Sequence, residues 1–320
     1  MKKFGIVIFL ILLAVVIIFI VVGDFKSTRL GNRSENLYEL DIDAYKDVDP
    51  SLIPYKETKN YTIQADSVNG IGYLRQKIYI VADMFLQVFD LEGKQLLKAN
   101  LPYPPKCLDV VEDGTIVIGF KDRIGLFSQN GEQGWITEQI SSKSVITAVA
   151  VKGQVVFVAD AGNRSVHRYD LSGKYLDSFE GKTGGKDLHG FIVPSANFDL
   201  KINNDGELWV VNPGKHAFEN YTDGGELRSF WENSSMKIDG FSGCCNPAHI
   251  AFLSNGSFVT SEKGLVRIKI HKPSGEFDSV VAAPEKFKED GKAPDVAADE
   301  NGNIYALDYD RKIIRVFALK

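Results

Sequence analysis

The sequence has few cysteines and no excess of basic residues. Cys107, Cys244 and Cys245 are the three cysteines among 320 residues, too few for a disulfide framework that would replace a hydrophobic core. Lys and Arg number 37 against 42 Asp and Glu, for a net charge of -5. Because Lys and Arg supply most of the affinity for nucleic acid, this composition argues against a nucleic-acid partner.

Two catalytic patterns are also missing. The chain has no G-x-S-x-G nucleophile elbow, and the segment GKTGGKDLHG lacks the order of a phosphate-binding loop. The five histidines are scattered without a recognisable metal spacing. A three-histidine site requires His189, His216 and His249 to converge from distant parts of the fold. The sequence therefore favours a binding protein over an enzyme.

The first 23 residues predict a membrane anchor. Residues 4–22 carry no charge and consist almost entirely of Ile, Val, Leu and Phe, which is long enough to span a bilayer. Lys2 and Lys3 precede them, so the positive-inside rule places the N-terminus in the cytoplasm. No cleavage pattern follows, and the polar residues 24–57 are interpreted as a tether. We expect a single-pass cell-membrane protein whose domain, residues 58–320, is periplasmic or extracellular.

A repeated pair of strands runs through that domain. Short β-rich runs recur six times, and most are followed by a second strand and a turn glycine. The first runs read KIYIVAD, TIVIGF, QVVFVAD, ELWVVN, SFVTSE and NIYALD. The turn glycines are Gly93, Gly131, Gly173, Gly224 and Gly275, separated by 38, 42, 51 and 51 residues.

This spacing predicts an all-β fold, a six-bladed β-propeller of four-stranded antiparallel blades preceded by one transmembrane helix. Units of roughly 40 to 50 residues with about four strands are typical of propeller blades. The sixth unit ends after its third strand, so its outermost strand must come from elsewhere. The segment ETKNYTIQA, just before the first unit, is expected to supply that strand and to close the ring, which removes two exposed sheet edges.

One repeat carries a family resemblance. The pattern V-A-D-x-x-N-R…Y-D-x-x-G-K, here residues 158–174, resembles the NHL-repeat β-propellers over about residues 60–320. The stretch that begins GCCNPAHIAFL is similar to a segment of exported bacterial NHL-repeat proteins of unassigned role. The resemblance implies that Cys244 to Pro247 and Glu262 to Gly264 form one unit. It names no ligand.

A candidate site follows from the predicted topology. The segment that precedes the innermost strand of each blade lies at the mouth of the central channel, where propellers usually bind ligands. Alignment of the blades on their turn glycines places His249, Cys107 and Asp295 at equivalent positions. Asn197 of blade four is placed within one residue of the same position. The predicted ligand-binding residues are Cys244, Cys245, Asn246, His249, Glu262, Lys263, Cys107, Asn197 and Asp295.

The adjacent cysteines leave three interpretations open. Neighbouring residues lie about 3.8 Å apart at Cα, below the usual range for a disulfide, so a vicinal disulfide would be strained and easily reduced. With His249, two free thiols would suit a soft ion such as Cu(I) or Zn(II). Ordinary buried cysteines are the third interpretation. Cys107 belongs to blade two, on the opposite side of the ring from blade five, and should form no disulfide with Cys244 or Cys245.

The sequence therefore predicts a binding or scaffolding module for a protein or small ligand, with no obligatory cofactor. The alternative is a metal-dependent hydrolase or lyase. Related six-bladed propellers imply Ca(II) or Zn(II) in the channel, and Asn197, Asn246, His249 and Asp295 would imitate their ligand shell.

Overall fold

The computed structural model describes residues 12–21, 45–181 and 190–320. The chain separates into two units, residues 1–42 and residues 43–320. In the first unit residues 12–21 are helical. No helix within the described ranges is long and apolar enough to cross a membrane. Residues 4–11 and 22 of the predicted anchor, and residues 24–44 of the tether, lie outside those ranges, so both stay predictions.

The second unit consists of six four-stranded antiparallel sheets, as predicted. The first strand, β1 Tyr55–Thr62, belongs to blade six. Blade one consists of β2 Val68–Leu74, β3 Lys77–Ala82, β4 Phe85–Asp90 and β5 Gln95–Asn100, and blade two of β6 Pro105–Val110, β7 Ile116–Phe120, β8 Ile124–Phe127 and β9 Gln133–Ile136. Blade three consists of β10 Ile146–Lys152, β11 Val155–Asp160, β12 Ser165–Asp170 and β13 Tyr175–Phe179. Those of blades four to six are β14 Leu200–Ile202, β15 Leu208–Asn212, β16 Ala217–Tyr221, β17 Leu227–Glu232, β18 His249–Phe252, β19 Phe258–Glu262, β20 Arg267–His271, β21 Phe277–Ala282, β22 Asp295–Ala298, β23 Ile304–Asp308 and β24 Ile313–Leu319. Short 3-10 helices span Pro50–Leu52, Pro213–Lys215 and Pro284–Lys286.

The N-terminal strand closes the ring, which confirms the predicted closure. Strand β1 pairs antiparallel with β24, and the register runs from Tyr55 opposite Leu319 to Thr62 opposite Ile313. The closing strand begins at Tyr55, three residues before the predicted domain start at 58. The innermost strands β2, β6, β10, β14, β18 and β22 contact one another in that order, and β22 returns to β2. They therefore surround one central channel.

Hydrophobic packing occurs where neighbouring blades meet. The described residues form six buried clusters, one at each of the six interfaces. At the first interface, for example, Val81 of blade one packs with Ile118 of blade two. Both faces of each sheet are thus covered, which explains the uninterrupted apolar runs of the second strands. The fourth strands are mostly exposed and polar, as suits a sheet edge.

The turn between the third and fourth strands explains the repeated glycines. Gly173 has a φ of +86°, a backbone conformation that favours glycine. The Asp170 carboxylate accepts hydrogen bonds from the backbone N–H groups of Ser172 and Lys174, at 2.9 and 3.0 Å. In blade four the glycine with positive φ is Gly225, so the prediction of Gly224 is wrong by one residue.

Candidate functional site

The residues of the NHL-like motif hold a loop in place. Asp160 Oδ1 accepts the backbone N–H of Val145 at 2.9 Å, and Oδ2 accepts Asn163 Nδ2 at 2.7 Å. His167 Nε2 lies 3.1 Å from Oδ2. Burial opposes ionisation of Asp160, yet these hydrogen bonds hold its pKa well below the ordinary value. These contacts of the motif therefore stabilise the fold.

The same position serves the same purpose in three other blades. Asp83, Asn212 and Asp308 stand where the second strand ends, and each accepts backbone N–H groups from a nearby loop. Blade five carries Glu262 at this position. Among the described residues, the partners of this carboxylate are side chains of β20, not backbone N–H groups of the loop that follows β19 or of the loop that precedes β18. Blade five therefore departs from these four blades, as does blade two, where Phe120 occupies the position.

Glu262 instead binds two cations inside blade five. Arg267 donates to Glu262 through Nε at 3.0 Å and Nη2 at 2.8 Å, and Lys269 Nζ lies 2.8 Å from Oε1. All three side chains have no solvent exposure. Burial lowers the pKa of Lys269 to about 8, although the Glu262 carboxylate opposes this shift. The structure therefore places Glu262 in the interior, where it is unavailable to a ligand.

Asn246 takes over the task of fixing the blade-five loop. We call residues 242–248, which precede β18, the blade-five leading loop. Asn246 Nδ2 donates to the carbonyl oxygens of Ser242 and Lys263, at 2.7 and 3.1 Å, and Oδ1 accepts the Lys263 N–H at 2.9 Å. His216 Nδ1 lies 2.9 Å from the Asn246 carbonyl oxygen, and Asn197 Nδ2 donates to the Cys245 carbonyl oxygen at 3.3 Å. The loop is therefore fixed to blades four and five.

The two cysteines of this loop differ in exposure and acidity. Their Sγ atoms are 3.2 Å apart, and both thiols are free. Cys244 is exposed and Cys245 is buried. Hydrogen bonding to Cys245 raises the pKa of Cys244. Burial would raise the pKa of Cys245, but Ser195, Cys244 and the Lys263 ammonium together lower it.

A charged cluster lies deeper, on the innermost strands. His249 Nδ1 is 3.5 Å from Asp199 Oδ2 and 3.6 Å from Asp295 Oδ1. One ligand atom from each of these residues lies within 4.8 Å of the other two. Lys201 Nζ lies nearby, 3.4 Å from Asp109 Oδ1. Burial lowers the pKa of His249, but the Asp295 and Asp199 carboxylates together raise it by more than burial lowers it, so the net shift is upward. Burial also raises the pKa of Asp295, against the attraction of His249.

The carboxylates of this cluster connect neighbouring blades. Asp199 of blade four accepts the Ile250 N–H of blade five at 3.0 Å, and its other oxygen accepts the N–H of Leu200 at 2.8 Å. Asp295 of blade six accepts the Ile71 N–H of blade one at 3.0 Å. Both carboxylates therefore have a structural task that requires no ion.

Sequence alignment missed Asp199. Cys107, His249 and Asp295 each stand seven residues before a turn glycine, namely Gly114, Gly256 and Gly302. The same count from Gly206 reaches Asp199. The prediction chose Asn197, two residues earlier, which contacts the cysteine loop instead.

The remaining candidates are dispersed. Cys107 is buried in blade two, and burial strongly raises the pKa of its thiol. His216 contacts the Asn246 carbonyl, whereas His189 lies outside the described residues. The companions of His249 in the described cluster are carboxylates, not histidines.

Comparisons with known proteins show the class of the fold. No family model matches the chain, and no curated protein matches its sequence. Among solved structures, a streptogramin B lyase matches with a TM-score of 0.59 at 13% identity, over 83% of this chain and 98% of that chain. A catalytically inactive virginiamycin B lyase from Staphylococcus aureus, with quinupristin, has a TM-score of 0.59 at 15% identity, over 83% and 100%. The WD40 β-propeller domain of Doa1 matches with a TM-score of 0.57 at 15% identity, over 81% of each chain.

The chain is thus a six-bladed β-propeller, similar in fold to both lyases and a WD40 domain. Identities of 13 to 15% show the fold alone. Membership of the NHL-repeat family stays a prediction.

Proposed function

We propose that this chain is a membrane-anchored, extracytoplasmic propeller that acts as a binding or scaffolding module. A protein or small ligand is seated at the channel mouth, on the blade-five leading loop. The observation that carries the proposal is the departure at blade five. Its leading loop is held by Asn246 and exposes the Cys244 thiol, whereas the loop before blade three is held by a buried carboxylate.

The geometry of this loop suits binding. Its three Asn246 hydrogen bonds fix the backbone before any ligand arrives, and a preorganised loop loses less conformational freedom on association. The partly exposed Lys263 adds an ammonium group beside the thiols. Binding residues are commonly carried by loops that a rigid scaffold positions. The fixed loop on a closed ring of blades meets that description.

The channel cluster gives less support to catalysis. Asp109, Asp199 and Asp295 are faced by Lys201 and by His249, whose pKa is raised. The protein's own cations therefore compensate most of the negative charge. A metal ion would have to displace or deprotonate His249 and tolerate Lys201. Since the carboxylates also hold blades together, their placement has a sufficient structural cause.

Site-directed crosslinking in intact cells tests the proposal. A bifunctional maleimide attached at Cys244 should crosslink the protein to a saturable partner, or be blocked by a small ligand. The matched control is Asn130→Cys combined with Cys244→Ser. Asn130 is exposed in the turn between β8 and β9, on the opposite face. Equal crosslinking from both positions, or none from Cys244, would contradict the proposed face.

A reporter fusion tests the location. Alkaline phosphatase joined after Lys320 should be active, because the enzyme requires export, and deletion of residues 4–22 should abolish its activity. Activity that survives the deletion would contradict the anchor.

A metal-dependent lyase or hydrolase is the second candidate. One observation favours it: two carboxylates and an imidazole offer ligand atoms within 4.8 Å of one another, a donor set that suits Zn(II). Elemental analysis of the purified chain, wild type against Asp199→Asn, distinguishes the candidates. One equivalent of metal that the variant loses would favour the enzyme. A metal-free wild type after dialysis against Zn(II) and Ca(II) would refute it.

A further inference from the structure

The vicinal cysteines carry an inference that requires no ligand at the channel mouth. We propose that Cys244 and Cys245 form a thiol–disulfide exchange site, in which Cys244 forms a mixed disulfide with one half of an external disulfide and Cys245 resolves that mixed disulfide. The product is a disulfide between the two neighbours. The inference goes beyond the proposed binding function and stands independently of it.

The arrangement of the thiols provides the first support. The two Sγ atoms are 3.2 Å apart, which places each within reach of direct attack by the other. Cys244 is exposed and can meet a disulfide from outside, whereas Cys245 is 3% exposed and cannot. Cys107, the third cysteine, is buried in blade two. Only Cys245 can therefore resolve a mixed disulfide formed at Cys244.

The surroundings of the thiols provide the second support. The thiolate is the nucleophile in exchange reactions. The neighbouring Cys244 thiol and the Lys263 ammonium lower the pKa of the Cys245 thiol, against the effect of burial. The resolving thiol thus has the lower pKa of the two. The higher pKa of Cys244 makes its thiolate less abundant but more nucleophilic once formed.

The reaction balances in two steps. In the first, the Cys244 thiolate attacks one sulfur of an external disulfide, RSSR, which forms a Cys244–SR bond and expels RS⁻. In the second, the Cys245 thiolate attacks Cys244 Sγ, which forms the Cys244–Cys245 bond and expels the second RS⁻. Each RS⁻ takes up one proton released by a cysteine. Overall, two protein thiols are oxidised by two electrons and one RSSR is reduced to two RSH.

The peptide geometry favours exchange over a permanent crosslink. Adjacent Cα atoms lie about 3.8 Å apart, whereas unstrained disulfides span roughly 4.4 to 6.8 Å. A disulfide between neighbours is therefore strained, and strained disulfides are the labile ones. We expect the oxidised form to be reduced again by an excess of small thiol.

Equilibration with glutathione tests the inference on the full chain. The reduced protein is incubated with reduced and oxidised glutathione at several ratios, and the reaction is quenched with acid. The protein is then unfolded and alkylated, and its mass is measured by mass spectrometry. In the wild type two alkylation sites should disappear together, with a mass loss of two hydrogens and no retained glutathione. Cys107→Ser should behave in the same way, with one alkylation fewer at every ratio.

The single variants identify the order of events. Cys245→Ser should accumulate one stable glutathione adduct at Cys244. Cys244→Ser should remain unmodified, because Cys245 is buried. Lys263→Met should prolong the lifetime of the mixed disulfide about tenfold, since the resolving thiolate loses its cation. Circular dichroism confirms that each variant is folded.

Three results would overturn the inference. The first is a wild type that keeps bound glutathione while Cys245 stays alkylatable. The second is a wild type whose two thiols stay reduced when nearly all glutathione is oxidised. The third is a Cys244→Ser variant that forms the adduct as fast as Cys245→Ser.

Discussion

Replacement of Glu262 by Gln should strongly destabilise the propeller. The Glu262 carboxylate pairs with both Arg267 and Lys269, and none of the three side chains is exposed. Glutamine has a similar shape but no charge, so two buried cations lose their carboxylate and keep the Gly240 carbonyl oxygen as a shared acceptor. Breaking a buried ion pair by removing one partner costs about 3–5 kcal/mol.

Two features of the structure set the expected size within that range. Arg267 cannot deprotonate, and its Nη1 already has no hydrogen-bond partner, so it retains a buried charge. Lys269 can lose its proton, because its pKa is already about 8, and each pH unit of such a shift costs about 1.4 kcal/mol. We therefore expect a loss of about 3–4 kcal/mol at pH 7. For a domain of this size that lowers Tm by roughly 6–15 °C.

Thermal unfolding followed by circular dichroism measures the effect at one scan rate. The matched control is Glu276→Gln in the same blade, where Glu276 pairs with Lys272 at 3.1 Å and both side chains are exposed. That change should cost less than about 1 kcal/mol. Lys269→Met added to Glu262→Gln should restore part of the stability. A Glu262→Gln protein that melts within 1 °C of the control would show that water reaches these charges, and the reasoning would fail.

Three further predictions concern the titration of buried groups and a turn. The wild type should become more stable between about pH 8 and 10.4, because the lowered pKa of Lys269 makes the folded protein release this proton before the unfolded chain does. Lys269→Met should abolish this rise in stability. Gly173→Ala should cost about 2–3 kcal/mol, since φ is +86° and the new Cβ would lie 2.9 Å from the Trp135 ring; Gly153→Ala, with positive φ but open space, should cost about 1 kcal/mol less in the same urea titration. The wild type should lose stability as the pH rises above about 6.5, because the raised pKa of His249 stabilises the fold only while the imidazole is protonated. His249→Gln should remove this loss, and an unchanged pH profile would contradict the prediction.

The fold was predictable because each blade repeats the same local rules. A buried apolar strand, a polar fourth strand and a glycine turn recur at nearly constant spacing, and each signal is local. The closing strand was predictable because the sixth unit lacks a strand and an alternating segment precedes the first unit. The error at Gly224 has a simple cause: two glycines are adjacent, and only the φ of +84° at Gly225 distinguishes them.

The site was less predictable because its geometry depends on partners from other strands. Glu262 was among the residues predicted at the channel mouth, yet its position in space is decided by Arg267 and Lys269. The alternation of Arg267, Lys269 and His271 in β20 was the available signal. Cations on one face of a fully buried strand require a carboxylate opposite them, and the hairpin register places Glu262 opposite Arg267.

Blade five differs from its neighbours in one consistent way. Where Asp160 holds the loop before its blade from a strand end, Glu262 is committed to the interior, and the loop is held from within by Asn246. This exchange has a consequence for the thiols. Asn246 bonds both backbone groups of Lys263 and follows Cys245 directly, so the same hydrogen bonds fix the backbone of Lys263 and the loop that carries the thiols.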